Sequence, residues 1–96
     1  MKLSVTKRGQ KKYQSIKEYI IEKWGKNVAD AFDLKTKHFF DLLEQFPELG
    51  EIEVPSKKIR GFQLTKQTRV FYRVKGERII ILTFFDTREN PKKKPK

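Results

Sequence analysis

The sequence predicts an α+β domain: a strand, then a helical hairpin, packed on an antiparallel sheet closed by three C-terminal strands (β-α-α-β-β-β). Three observations predict it. Apolar residues recur at helical spacing through the first half of the chain. Beyond Gly50 the period changes to two, in runs rich in β-branched and aromatic residues. The chain has 96 residues and no cysteine, so one small core must be filled by its eight Phe, three Tyr and one Trp, without disulfide or zinc.

Each element has its own signal. Leu3 and Val5 alternate with Lys2, Ser4 and Thr6, the period of a short strand. A helix is expected over residues 9–23, with Tyr13, Ile16, Ile20 and Trp24 as its apolar stripe and Gly25 as its stop. A second helix is expected over residues 27–45, capped by Asn27, with Asp30 in its first turn. Its stripe is Val28, Ala31, Phe32, Phe39, Leu42, Leu43 and Phe46, breached by Lys35, whose stem should lie along the edge. Pro47 and Gly50 end it. The short connection makes the two helices antiparallel.

Residues 51–57, with Pro55, are expected to form a loop, followed by strands over 58–65, 69–75 and 78–85. Gly76-Glu77 fits a two-residue hairpin of type II′, glycine first. With Lys75 and Arg78 flanking that turn, strict alternation pairs Val74 with Ile79, Tyr72 with Ile81 and Val70 with Thr83 on the side the helices cover. Arg73, Phe71 and Arg69 then share the opposite side with Ile80, Leu82, Phe84 and Asp86. Ile59 and Phe62 cannot share a face, which calls for a bulge at Arg60-Gly61. Residues 1–90 make a single domain, and residues 91–96 a basic tail expected to be disordered.

The formal net charge is +11, which attracts nucleic acid, ribosome or an acidic protein. It is segregated: residues 28–53 hold seven acids against two lysines, whereas residues 54–76 hold seven basic residues and no acid. No apolar run is long enough to span a bilayer or to act as a signal peptide, and with no cysteine the chain reads as cytoplasmic. The single histidine, His38, lies mid-helix without a metal-ligating or nucleophilic neighbour. The five glycines are scattered, so no phosphate-cradling loop is present. Neither metal nor small-molecule cofactor is expected.

What remains is a basic sheet face. Arg69, Phe71 and Arg73 alternate along one strand, with Lys57, Lys58 and Arg60 before it and Arg88 just beyond the last strand. Guanidinium forks suit phosphates and aromatic rings suit bases, a combination fitting single-stranded RNA.

These runs carry a family resemblance. The segments KYQSIKEYIIEKWG and NVADAFDLKTKHFFDLLEQFPELG resemble the helical hairpin of RelE/ParE-type toxins of type II toxin–antitoxin systems, including the P-x-x-G that closes it. The segment IRGFQLTKQTRVFYRVKGERIIILTFFDTRENP resembles their closing strands, with R-V-x-Y-x-V as the central one. The resemblance implies a cognate antitoxin as partner, and one of two targets. RelE-like members are ribosome-dependent mRNA endoribonucleases; ParE-like members are not nucleases and poison DNA gyrase. A non-toxic basic RNA-binding module on the same fold is a further alternative. For a nuclease, the resemblance gives catalytic roles to Arg69 and Arg88, with Arg60 near a position usually held by lysine. These residues would offset charge building on the attacked phosphate. Two departures stand out: Phe62 takes the place of a second basic residue, and no Tyr or His follows Arg88. Asp86 or a lysine would then have to supply the general acid. On charge grounds the antitoxin should lay an acidic segment across residues 57–75 and pair with an exposed sheet edge.

Overall fold

Thr6 decides where the first strand ends and the first helix begins. In the computed structural model, which describes residues 1–88, strand β1 (Lys2–Val5) leads directly into helix α1 (Lys7–Trp24). The Thr6 hydroxyl accepts from Gly9 N at 2.9 Å and donates to Leu82 O at 2.8 Å, so one side chain caps the helix and ties it to the sheet. The helix therefore starts two residues before the expected Gly9. It ends at Gly25 as expected, and here one residue does the work of a loop. Gly25, at φ 92°, is both the last cap of α1 and the N-cap of α2 (Lys26–Gln45), a conformation that favours glycine. Asn27 is consequently inside the helix and is not its cap.

The three expected closing strands are present as β3 (Ile59–Gln63), β4 (Thr68–Lys75) and β5 (Arg78–Asp86). The expected loop over 51–57 is instead strand β2 (Glu51–Val54) followed by a 3-10 turn, Pro55–Lys57. All five strands form one mixed sheet, ordered β1-β5-β4-β3-β2, with β1 parallel to β5 and the other pairs antiparallel. Gly76, at φ 59°, makes the β4–β5 turn. The expected tail, residues 91–96, lies outside the described residues.

The helices cover one face. Ile16 and Ile20 of α1 and Ala29, Phe32, Phe39 and Leu43 of α2 are buried against Leu64, Val70, Tyr72, Ile79, Ile81 and Phe84. Five residues of the predicted stripes are exposed instead: Trp24, Val28, Ala31, Leu42 and Phe46. Thr36 takes a core position, its hydroxyl satisfied by Phe32 O at 2.9 Å. Lys35 is exposed.

The predicted pairs Val74–Ile79 and Tyr72–Ile81 form, and there the alternation breaks. Tyr72 opposes Ile81 but Phe71 opposes Thr83, leaving Leu82 as an extra residue. Val70 therefore opposes Phe84, not Thr83, and Thr68 opposes Asp86. Phe84 and Asp86 turn to the helix-covered side, contrary to the alternation. At Arg60-Gly61, where a bulge was expected, β3 pairs regularly with β4. Ile59 simply faces away from the helices, while Phe62 stacks on Phe39 at 4.5 Å between ring centroids. A second irregularity falls between Ile52 and Val54, at Glu53 in β2.

Candidate functional site

Arg69 stands on the uncovered face of β4, beside Phe71, with its guanidinium carbon 5.9 Å from that ring's centroid. Its fork is already engaged: Gln63 Oε1 accepts at 3.2 Å, and the Glu53 carboxylate forms an ion pair with the Nη2 end. Glu53 reaches it from the other side of β3, across Gly61. A Cβ at Gly61 would come within 2.6 Å of Glu53 Oε1 and 2.9 Å of Arg69 Nη2, so the absence of a side chain there makes room for the pair. Arg73 is exposed on the same face.

Arg60 does not join them. Its register partner is Tyr72, which places it on the opposite side of the sheet. There Nη1 donates to Gly50 O at 2.8 Å and Glu48 O at 3.4 Å. Tyr72 works on the same turn: its hydroxyl donates to Pro47 O at 2.9 Å and accepts from Gly50 N at 2.7 Å. Burial raises the Tyr72 pKa, keeping that hydroxyl a donor. Together they hold the segment after α2 against the sheet.

Asp86 and Arg88 form a third group. The Asp86 carboxylate is 3% exposed. It accepts from Arg88 Nε at 3.1 Å, Arg88 Nη2 at 2.8 Å and Arg88 N at 2.8 Å, and from the Thr68 hydroxyl. Burial alone would raise its pKa, but Arg88 and Thr68 outweigh burial and hold the carboxyl below the usual range. A carboxylate so held is a poor proton donor at neutral pH. Arg88 also lies over Trp24 at the end of α1, 5.5 Å from the ring centroid. Trp24 is thus partner to an arginine and 49% exposed, not core.

Lys57 and Lys58 are exposed at the end of the 3-10 turn, with Lys58 at φ 54°. The sequence-predicted residues therefore fall into separate places. Arg69, Phe71 and Arg73 share the open face; Arg60 braces the hairpin's exit; Asp86 and Arg88 lock the end of β5 to α1. Among the described residues no group of three His, Cys, Asp or Glu could hold a metal ion.

This order of elements on this sheet can be compared with known proteins. Residues 3–91 match the family model of the ParE toxin of the type II toxin–antitoxin system. The chain belongs to the ParE toxin family. Solved structures share the ParE toxin fold. A chain of the chromosomal ParDE system of P. aeruginosa is 23% identical, with a TM-score of 0.74 over 90% of this chain and 95% of that one. A YoeB/ParE toxin from Agrobacterium tumefaciens is 17% identical, with a TM-score of 0.63 over 90% and 98%. A conserved hypothetical protein from Helicobacter pylori is 19% identical, with a TM-score of 0.57 over 92% and 96%. No curated protein sequence matches. ParE membership implies an antitoxin partner. No helix among the described residues is long and apolar enough to cross a membrane.

Two residues of this ParE chain's site were missed in the sequence. Glu53 sat in a presumed loop, and only its alternation with Ile52 and Val54 hinted at a strand. Trp24 was assigned to the core because it completes a helical stripe, although its place beside Gly25 put it at the helix end.

Proposed function

We propose that this toxin acts by binding, with DNA gyrase as its target, and that it does not cleave RNA. The observation that carries the proposal is the engagement of the three arginines that a nuclease would need. Arg69 is paired with Glu53, Arg60 with backbone carbonyls and Arg88 with Asp86, and they do not converge on one place. A phosphate would have to displace a carboxylate at two of them. The one carboxyl of the set is held ionised, and no Tyr or His follows Arg88. The test pairs two reactions with the purified chain: supercoiling by gyrase, and translation of a defined mRNA with its ends mapped. Inhibited supercoiling with intact mRNA is expected. New mRNA ends that need ribosomes, with supercoiling untouched, would overturn the proposal.

The RelE-like reading keeps one supporting observation: Arg69, Phe71 and Arg73 do share an open face. Glu53→Gln removes the carboxylate that masks Arg69. Under the gyrase reading this variant still leaves mRNA intact; cleavage by the variant alone would mean that a nuclease site is present and covered. For the antitoxin, the sheet edge at β2 is the favoured seat. Its residues are exposed, and Phe46, Leu49, Ile52 and Val54 lie exposed around it beside Lys57 and Lys58, a surface for an extended segment with apolar and acidic side chains.

A further inference from the structure

The register of the sheet brings together three positive charges that no local need explains. Lys2 of β1 is paired with Arg78 of β5, and Arg78 with Lys75 of β4. Paired residues point to one face. Val74, Ile79 and Leu3 of the neighbouring row pack on the core, so Lys2, Arg78 and Lys75 project from the uncovered face. All three are exposed, and none has an ion-pair partner among the described residues. Like charges directly opposite one another destabilise a sheet. With strands about 4.8 Å apart, the row sets three cations across about 10 Å. Arg73, also exposed and without an ion-pair partner among the described residues, stands one step further along the same face of β4.

We propose that the row Lys2–Arg78–Lys75, extended by Arg73, is a docking site for the phosphate backbone of double-stranded DNA. A cationic row set at the strand spacing across the open face matches a polyanion of regular charge spacing. Duplex DNA carries one charge per ~1.7 Å of axis, so ~10 Å of row faces several phosphates. An acidic peptide would want apolar anchors, and those lie at the opposite edge of the sheet, around β2. A single strand would want a stacking ring, but Phe71 is half-buried and has Arg69 beside it. The site is independent of the gyrase proposal: it concerns DNA alone and needs no enzyme present.

The experiment titrates the full chain into a labelled 20-bp duplex over a salt series. It compares two triple variants of equal charge: Lys2→Gln/Lys75→Gln/Arg78→Gln on the row, and Lys11→Gln/Lys23→Gln/Lys35→Gln on exposed helix positions. Each phosphate contact contributes ~0.9 to the slope of log K against log salt. The row variant should lose about 2–3 from that slope and at least about tenfold in affinity at low salt, the helix variant less than about 1 from the slope. The melting temperature of the row variant should hold or rise, because a repulsion has been removed. Equal losses in both variants would reduce the effect to bulk charge and overturn the site, as would an unchanged slope in the row variant. A labelled poly-glutamate peptide is titrated in parallel. If the row variant weakens the peptide more than the duplex, the surface serves an acidic protein, and the DNA assignment fails.

Discussion

A carboxylate with 3% of its surface exposed stays charged only if its partners outweigh the water it has lost. Asp86 has the Arg88 fork, the Arg88 amide and the Thr68 hydroxyl, and its pKa lies below the ordinary value. A depressed carboxyl pKa contributes stability above the unfolded value, near 3.9, and that contribution is lost as pH falls through the folded value. Asp33, which holds Tyr13 and Lys17, is shifted in the same direction and adds to the same acid window. Asp86→Asn should therefore cost about 2 kcal/mol at pH 7, the scale of hydrogen bonds to a charged group. The gap to wild type should shrink as both are acidified past the ordinary carboxyl value, near 3.9. Urea unfolding at the two pH values measures this; equal stability at pH 7 would deny the Asp86 network its structural role. Two glycines give a sharper contrast. A Cβ on Gly50 would meet Gly61 O and the Tyr72 ring at 2.8 Å, both firmly placed. A Cβ on Gly61 meets only flexible side chains, Glu53 at Oε1 and Cγ and Arg69 at Nη2, which can swing away. Gly50→Ala should cost about 2–3 kcal/mol, as overpacking does. Gly61→Ala should cost under about 1 kcal/mol and part Glu53 from Arg69. Similar destabilisation by both substitutions would contradict this assignment of rigid and yielding neighbours.

At the scale of elements, the extra residue at Leu82 decides which side chains the helices cover. Its carbonyl accepts the Thr6 hydroxyl that also caps α1, so bulge and helix start are one joint. Deleting Leu82 would make the ladder continuous with the same partners, Phe71–Thr83, Val70–Phe84 and Thr68–Asp86, so Phe84 and Asp86 would still face the helices while the Thr6 anchor is lost. Circular dichroism and thermal melting should show a cooperative transition for that deletion and for Thr6→Ala, with Thr6→Ala losing about 1–2 kcal/mol and the deletion a similar amount. A deletion variant with no cooperative melt would mean that the bulge does more for the sheet than carry the Thr6 anchor. The same joint shows what was legible beforehand. The helical hairpin could be read because Ile16, Ile20, Phe32, Phe39 and Leu43 keep a helical period that no neighbour alters. The β4–β5 turn could be read because Gly76-Glu77 names its own geometry. The side on which Asp86 lies could not, because a bulge leaves no mark in alternation until the pairing is known. Strand β2 escaped because all four of its residues are exposed, so backbone pairing and not burial defines it. The masking of Arg69 escaped with it, since Glu53 and Arg69 meet only after β2, β3 and β4 lie side by side.

For the molecule as a whole, charge sets fold and partners against each other. Twenty-three basic side chains face twelve acidic ones, a net +11 that repels itself within the folded chain. The ion pair Lys26–Asp30 is exposed, and pairs of that kind contribute little whether screened or not. The better-covered pairs, Arg88–Asp86 above all, are shielded from salt by their burial. Raising ionic strength from about 0.01 M to 0.15 M shortens the Debye length from about 30 Å to about 8 Å. Long-range repulsion across the sheet is then screened, while the close contacts survive. Thermal stability should therefore rise with salt over this range, by a few degrees in melting temperature. Association with an acidic antitoxin segment should weaken over the same range, chiefly through a slower on-rate. Melting curves and stopped-flow binding at matched salt would show the two trends with opposite sign. That opposition separates them: lost binding in salt cannot be unfolding if the fold is gaining stability. Were stability to fall with salt instead, the ion pairs and not the repulsion would dominate, and the excess positive charge would carry no cost for the fold.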